Sequence, residues 1–151
     1  MTTYAFQSFQ GAISGVGGSF SIGFGAGISK GGISTTMAED KNVATTGADK
    51  SIMHSLRSNN LGRITIRCLK TSELNARLSY MYNLQKNNPV AWGKNVVSGS
   101  DVLRGDFFAL SQAAFVKYPD NTWDEEGKDI EWEMVGDLEE QIGAGVPDVN
   151  L

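Results

Sequence analysis

The residues that could do chemistry are few and scattered. The only histidine is His54, with Asp49 and Ser55 close to it in the chain. A Ser–His–Asp triad would suit acyl transfer, but sequence neighbours rarely converge on one reacting atom, and the sequence is read as having no nucleophile elbow. The expectation is a hydrogen-bonded structural or surface histidine. Cys68 is the only cysteine, so one chain can form no internal disulfide. One cysteine and one histidine do not furnish a zinc site either. A reducing, cytoplasmic compartment fits this usage.

Glycine occurs 18 times, nine of them between Gly11 and Gly32, which invites comparison with a phosphate-cradling loop. The spacing does not fit. Gly25-Ala26-Gly27-Ile28-Ser29-Lys30 lacks the third glycine of the dinucleotide fingerprint, and no Gly-Lys-Ser/Thr string occurs. Tight turns and close backbone approach are the better use of these glycines. Asp124, Glu125, Glu126 and Asp129 could attract a cation but lack the ligand order of a calcium loop. Arg104-Gly105-Asp106 matches an adhesion tripeptide, a three-residue pattern common by chance, and is read as the lead into a strand at Phe107. Arg63 and Arg67 could touch phosphate. With nothing basic adjoining them, they are expected to pair with carboxylates or stay hydrated. No catalytic residue, cofactor or metal is therefore assigned.

The elements that would position these groups are mainly β. The chain of 151 residues suits a single domain, 1–151. A hydrophobic fraction of 40% and a charged fraction of 20% are those of a folded protein. A net charge of −4 and a pI near 4.9 argue against gripping nucleic acid through its phosphates. They leave room for DNA to pass without being held. The opening residues Met1-Thr2-Thr3-Tyr4-Ala5-Phe6 show no secretory pattern, and no apolar run is long enough for a membrane helix, so no membrane binding is expected.

Residues 4–13 read as a first strand with apolar groups on both faces, covered on one side by its own core and on the other by something else. Residues 15–18 form a turn. Residues 19–24 alternate strictly, with Phe20, Ile22 and Phe24 on one face. Residues 33–37 make a third, weaker strand. Residues 38–51 are polar and read as a long loop, ended by a short strand through Ile52, Met53 and Leu56. Residues 63–69 alternate most clearly, with Ile64, Ile66 and Cys68 opposite Arg63, Thr65 and Arg67. Residues 71–87 hold the one long helix: Thr71 or Ser72 caps it, Leu74, Leu78, Met81 and Gln85 follow helical spacing, and Pro89 stops it. Strands follow at 95–100, 106–118 and 129–134, the last with Ile130, Trp132 and Met134 inward. Residues 137–142 read as a short acidic helix and 143–151 as a loose tail. Roughly eight strands and one helix favour an all-β or α+β sandwich over βαβ units.

Certain short strings occur in a telling order: Gly17-Gly18-Ser19-Phe20, Gly25-Ala26-Gly27, Glu39-Asp40-Lys41-Asn42, Gly47-Ala48-Asp49, Met53-His54-Ser55-Leu56, Leu69-Lys70-Thr71-Ser72, Arg104-Gly105-Asp106 and Ile130-Glu131-Trp132. In this order the chain resembles the tail tube proteins of contractile-tailed (myovirus-type) phages and prophages, from about Gly11 to Trp132. The resemblance implies a β-sandwich or barrel-like fold flanked by a helix. It implies hexameric rings whose sheets join across subunits into one large barrel, stacked into a tube that conducts DNA. The implied partners are copies of itself, the tail sheath, the baseplate and the tail terminator, with only transient passage of DNA. The implied location is the virion, after synthesis in the host cytoplasm.

Within that picture Asp129, Glu131 and Glu133 are expected to line the lumen, where carboxylates keep DNA from sticking. Arg63 and Arg67 are expected in intersubunit or inter-ring ion pairs. The loop bearing Glu39, Asp40, Lys41, Asn42, Asp49 and Lys50 is the candidate for contact with the next ring. Two other readings stand beside this one. One is the tube of a non-contractile tail or a related injection machine. The other is a β-sandwich module for carbohydrate or a receptor, which would need Trp92, Trp123 and Trp132 to form an exposed aromatic cluster.

Overall fold

Alternation decides the central strand. Ile64, Ile66 and Cys68 are fully buried, whereas Arg63 stands in solvent and Thr65 and Arg67 are only partly covered. Slipping the register by one residue would drive both arginines into the core, so the pattern fixes the pairing. The computed structural model describes residues 4–23, 25–101 and 105–143. In it the chain forms a short 3-10 turn (Phe6–Ser8), nine strands and one helix. The strands are β1 (Phe9–Gly15), β2 (Gly18–Gly23), β3 (Ile28–Met37), β4 (Asn42–Thr46), β5 (Ile52–Leu56), β6 (Leu61–Cys68), β7 (Asn95–Asp101), β8 (Phe107–Phe115) and β9 (Ile130–Gln141); helix α1 is Glu73–Lys86.

Seven strands make one antiparallel sheet in the order β2-β1-β7-β8-β9-β6-β3. The sheet curls into a half-barrel. The fold is thus mainly β with one flanking helix, and the barrel-like form of the expectation is the one realised. Shifts in the β7–β8 and β8–β9 register bend β8. There Gly136 lets the strands close: a Cβ on it would lie 2.5 Å from the Ser111 carbonyl oxygen.

Helix α1 begins as its sequence dictates. The Ser72 hydroxyl accepts from the Leu74 amide at 3.2 Å, Glu73 sits in the first turn and Lys86 in the last. Leu74, Leu78, Met81 and Gln85 are all buried against the sheet. The helix crosses one end of the half-barrel, from the end of β6 to the β1–β2 turn. Gly17 at that turn has φ +117° and lies so close to Met81 that a Cβ would sit 3.1 Å from its Cα. Beneath the helix Trp132 meets Phe115 and Tyr118 edge-on, and its indole donates to Asn75 Oδ1 at 3.0 Å. Each fully buried apolar side chain here is worth about 1.5–3 kcal/mol.

The opposite end of the sheet carries an arm. Strands β4 and β5 pair only with each other, with Asn42 opposite Leu56 and Thr46 opposite Ile52. Backbone bonds Leu61 O to Ala38 N and Lys41 O to Arg57 N join this hairpin to β3 and β6. The segment 28–68 is therefore one long two-stranded ribbon, rooted in the sheet and free at its tip.

Several expectations are corrected. Residues 38–51 are not one loop: after a bend at 38–41, β4 runs from Asn42 to Thr46, and the tip, 47–51, is a turn. Their polarity reflects a hairpin with both faces exposed. The first strand starts at Phe9, because Phe6–Ser8 coil into the 3-10 turn and the Ser8 amide and hydroxyl both donate to the Ala5 carbonyl. The acidic stretch 137–142 is not a helix but the continuation of β9, with Leu138 buried opposite Leu110. Phe24, Arg104 and 144–151 lie outside the described residues.

Candidate assembly surface

One face of the sheet is apolar, with α1 packed over one end of it; the other is bare and mixed, carrying the exposed apolar Leu61, Val96 and Phe107 among small and charged residues. On the bare face alternation sets Ala12 and Ser14 of β1, Ser98 of β7, Ala109 and Ser111 of β8, Thr65 of β6 and Glu131 and Glu133 of β9. Two of the three residues expected to line a lumen thus share this face, and Asp129 precedes them at the start of β9. The acidic row is not bare charge, however. Arg63 Nη1 stands 3.1 Å from Glu133 Oε2, and Arg67 Nε 3.4 Å from Glu131 Oε1. Arg67 lies directly across from Glu131, while Arg63 reaches Glu133 on the diagonal. Arg67 also donates to Ser34 Oγ at 2.8 Å. In the single chain both arginines, expected in ion pairs between subunits, pair within the chain, and they pair with the carboxylates assigned to the lumen.

The arm is the second surface. At its root Glu39 accepts from Arg57 at 3.1 Å and from Asn59 at 3.2 Å. Lys41 donates to the Asn59 carbonyl at 3.1 Å and to Asn60 Oδ1. Asn42 Nδ2 and His54 Nδ1 are 3.1 Å apart across the ribbon. Asp40 is exposed beside them. At the tip the Lys50 amide bonds to Gly47 O at 3.1 Å and Lys50 adopts φ +69°, the turn-plus-bulge geometry of a three-residue hairpin loop. Asp49 accepts from the Ser51 hydroxyl and amide, which hold its carboxyl below its ordinary pKa. The polar residues singled out in this segment thus build the arm's root and tip. What the sequence reading passed over is its apolar load: Ile52, Met53 and Leu56 are 62%, 60% and 81% exposed. Three apolar residues in a five-residue strand were the available signal.

Other candidate groups do not converge. His54 faces Asn42, and Asp49 is taken up by Ser51, so no triad forms. One Gly-x-Ser-x-Gly string does occur, Gly27-Ile28-Ser29-Lys30-Gly31, contrary to the reading of no elbow. Ser29 lies inside β3, with no strand-to-helix turn to raise its hydroxyl. Trp132 is core, Trp92 packs edge-on to Tyr82, and Trp123 sits on a separate loop, so the three tryptophans form no platform. Among the described residues no group of three or more His, Cys, Asp or Glu is placed to hold a metal. No described helix is long and apolar enough to cross a membrane.

A family model, "Bacteriophage PhiTE tail tube protein", matches residues 1–143. The chain belongs to this tail tube family. It is therefore a tail structural component of a phage, and its family places it in the virion. No curated protein sequence matches the chain. Among solved structures the tube-family chain is similar to a chain from the anti-feeding prophage baseplate, determined by cryo-electron microscopy and 6-fold symmetrised. Identity is 17%, the TM-score is 0.52, and the match covers 97% of this chain and 99% of that one. That likeness supports the mainly β fold.

Proposed function

We propose that this tube-family protein assembles as stacked hexameric rings whose central channel conducts DNA, in a contractile tail. The observation that carries the reading is the two-faced sheet. Its apolar side packs against α1, its other side is bare, and among the described residues its edge strands β2 and β3 have no further partner in the sheet. Open edges are satisfied when copies join edge to edge around a ring. The small and charged side chains of the bare face then line the bore, with Glu131 and Glu133 balanced by Arg67 and Arg63. Such a surface offers phosphates no net cationic grip. The arm reaches from one ring toward the next. Sheath, baseplate and terminator proteins are the other partners, the chain is made in the host cytoplasm, and no catalytic role is assigned. The anti-feeding prophage likeness favours one second reading, a tube or baseplate subunit of a related injection machine.

Negative-stain microscopy of the purified protein tests this. Uniform rings or hollow tubes are expected. A chain that stays a lone particle under every polymerising condition, and is missing from purified tails, sinks the reading.

A further inference from the structure

We infer that the cleft between a bulge in β8, Asp137 of β9 and the β5–β6 loop binds a hard divalent cation of calcium's kind through oxygen ligands. The site lies within one chain, so it stands or falls separately from the ring reading.

The first observation is a carboxylate oxygen. Asp137 lies on the bare face of β9, between Ser111 of β8 and Leu61 of β6. It lines a cleft of about 350 Å³ together with Ser58, Asn59, Asn60 and Gln112. Its Oδ1 is buried and has no hydrogen-bond partner among the described residues. A buried carboxylate oxygen is unfavourable until a donor or a cation meets it. The donors around the cleft are engaged elsewhere. Asn59 Nδ2 donates to Glu39 and Asn60 Nδ2 to Glu139, both at 3.2 Å. The Leu61 amide donates to Asn59 Oδ1 at 2.8 Å, and the Leu138 amide to the Asn60 carbonyl at 3.0 Å. Lys41 is held by the Asn59 carbonyl and Asn60 Oδ1. Among the described residues no basic side chain lines the cleft.

The second observation is the backbone at Gln112. Leu110 and Ala113 both face the core, so Ser111 and Gln112 share the one bare-face place between them. Gln112 has no register partner in β7 or β9, and its φ is +51°. Glycine takes that left-handed conformation freely, whereas other residues are strained in it. Strained residues of this kind cluster at ligand sites. A glycine here would relieve the strain but bring no side chain. Glutamine brings an amide oxygen to the cleft that Asp137 lines.

The chemistry of these groups selects the ligand. The Asp137 carboxylate, the Gln112 amide and the Ser58 hydroxyl are hard oxygen donors, and no histidine or cysteine lines the cleft, so softer metals are disfavoured. Calcium accepts a mixed and irregular set of oxygens and fills its shell with water; magnesium demands a stricter octahedron. A single carboxylate among neutral oxygens sets the affinity low, with a Kd of about 10⁻⁴–10⁻³ M. The bound cation would tie the β8 bulge and β9 to residues 57–60, the segment that leads from the arm into β6. Its effect is therefore to stiffen the root of the arm.

The test titrates the full chain, stripped of divalent ions, with calcium chloride at constant ionic strength. Calorimetry reads the binding and thermal unfolding reads the Tm. Saturable binding with a Kd of about 10⁻⁴–10⁻³ M and a raised Tm are expected. Asp137→Asn keeps the shape and removes the charge, and should weaken binding by roughly tenfold or more. Gln112→Gly separates a ligand from a merely strained residue: it should raise the Tm without calcium and shrink the rise that calcium brings. No saturation at roughly ten times the expected Kd, equal binding by Asp137→Asn, or the same Tm rise with sodium chloride at matched ionic strength overturns the inference. Should Asp137→Asn fail to fold, hydrogen exchange on the wild-type chain decides. Calcium should slow exchange at 57–61 and around Gln112, and slowing confined to other segments overturns the site. None of these outcomes depends on whether rings or tubes form.

Discussion

Gln85, on the last turn of α1, and Asn95, the first residue of β7, hold each other through both ends of their amides. Asn95 Nδ2 donates to Gln85 Oε1 at 2.9 Å, and Gln85 Nε2 donates to Asn95 Oδ1 at 2.7 Å. Gln85 Nε2 also donates to the Val16 carbonyl at 2.8 Å. Both side chains are fully buried, so the pair pins the helix to the β1–β2 turn in one register. Asn95→Ala leaves the Gln85 oxygen unpaired and should cost about 1–3 kcal/mol in urea denaturation. Gln85→Met with Asn95→Leu should cost less than the sum of the single changes, since both polar groups go together. Additive losses would show that the two amides act independently.

Gly136 gives a second stability test. A Cβ there would meet the Ser111 carbonyl oxygen at 2.5 Å and the Ala113 Cα at 3.0 Å, and a backbone cannot step aside as a side chain can. Gly136→Ala should cost about 2 kcal/mol or more by strain. A melting temperature near wild type would mean that the β8 distortion is softer than its register suggests.

How much of this was legible in the sequence depended on which face each residue served. Leu74, Leu78, Met81 and Gln85 were readable because one helical stripe meets one core. Ile64, Ile66 and Cys68 were readable because one strand face is buried. The arm was not, since a hairpin wet on both sides carries no period-2 contrast and Asn42, Thr45, Thr46 and Asp49 read as loop residues. The end of β9 was missed for a different reason. Glu139 and Glu140 favour a helix locally, but pairing opposite Ala109 and Phe108 overrides that preference. The partners of Arg63 and Arg67 lie more than sixty residues away, beyond any local pattern.

Those ion pairs predict a contrast between stability and transport. Arg63→Gln with Arg67→Gln should change stability by less than about 1 kcal/mol, because the pairs are solvent-exposed. Glu131→Lys with Glu133→Lys would set four cations together on the bare face. Such tubes should assemble yet eject DNA more slowly, and the delay should shrink as salt rises. Ejection at the wild-type rate in low salt counts against a bore-lining role.

Cys68 should be silent at neutral pH. Burial, aided by the negative charge of Asp129, pushes its thiol up to about 12 from an ordinary 9.0. A thiol reagent at pH 8 should therefore react only after denaturation. A raised folded value means that no stability is lost below pH 9. Above it the unfolded chain ionises first, and stability should fall progressively toward pH 12. Rapid labelling of native protein would contradict the buried placement.

The tip of the arm has the opposite dependence. Asp49 is held below its ordinary 3.8 by Ser51, so its support of the turn is complete above that pH. It fades as acid takes the carboxylate through its lower folded value. An NMR titration should find the Asp49 midpoint below that of a short peptide spanning 47–51. Equal midpoints would mean the turn is not held through this carboxylate.

The two edge strands of the sheet, β2 and β3, are also neighbours along the chain, five residues from Gly23 to Ile28. A fully extended link of that length spans at most about 18 Å. Six inter-strand steps laid flat would put those edges roughly 29 Å apart. The link, whose Ala26 carbonyl accepts from the Ser72 hydroxyl at the α1 cap, limits how far the two edges can part, so the sheet cannot flatten while it is intact. The arc of the sheet is thus set by covalent length within the single chain.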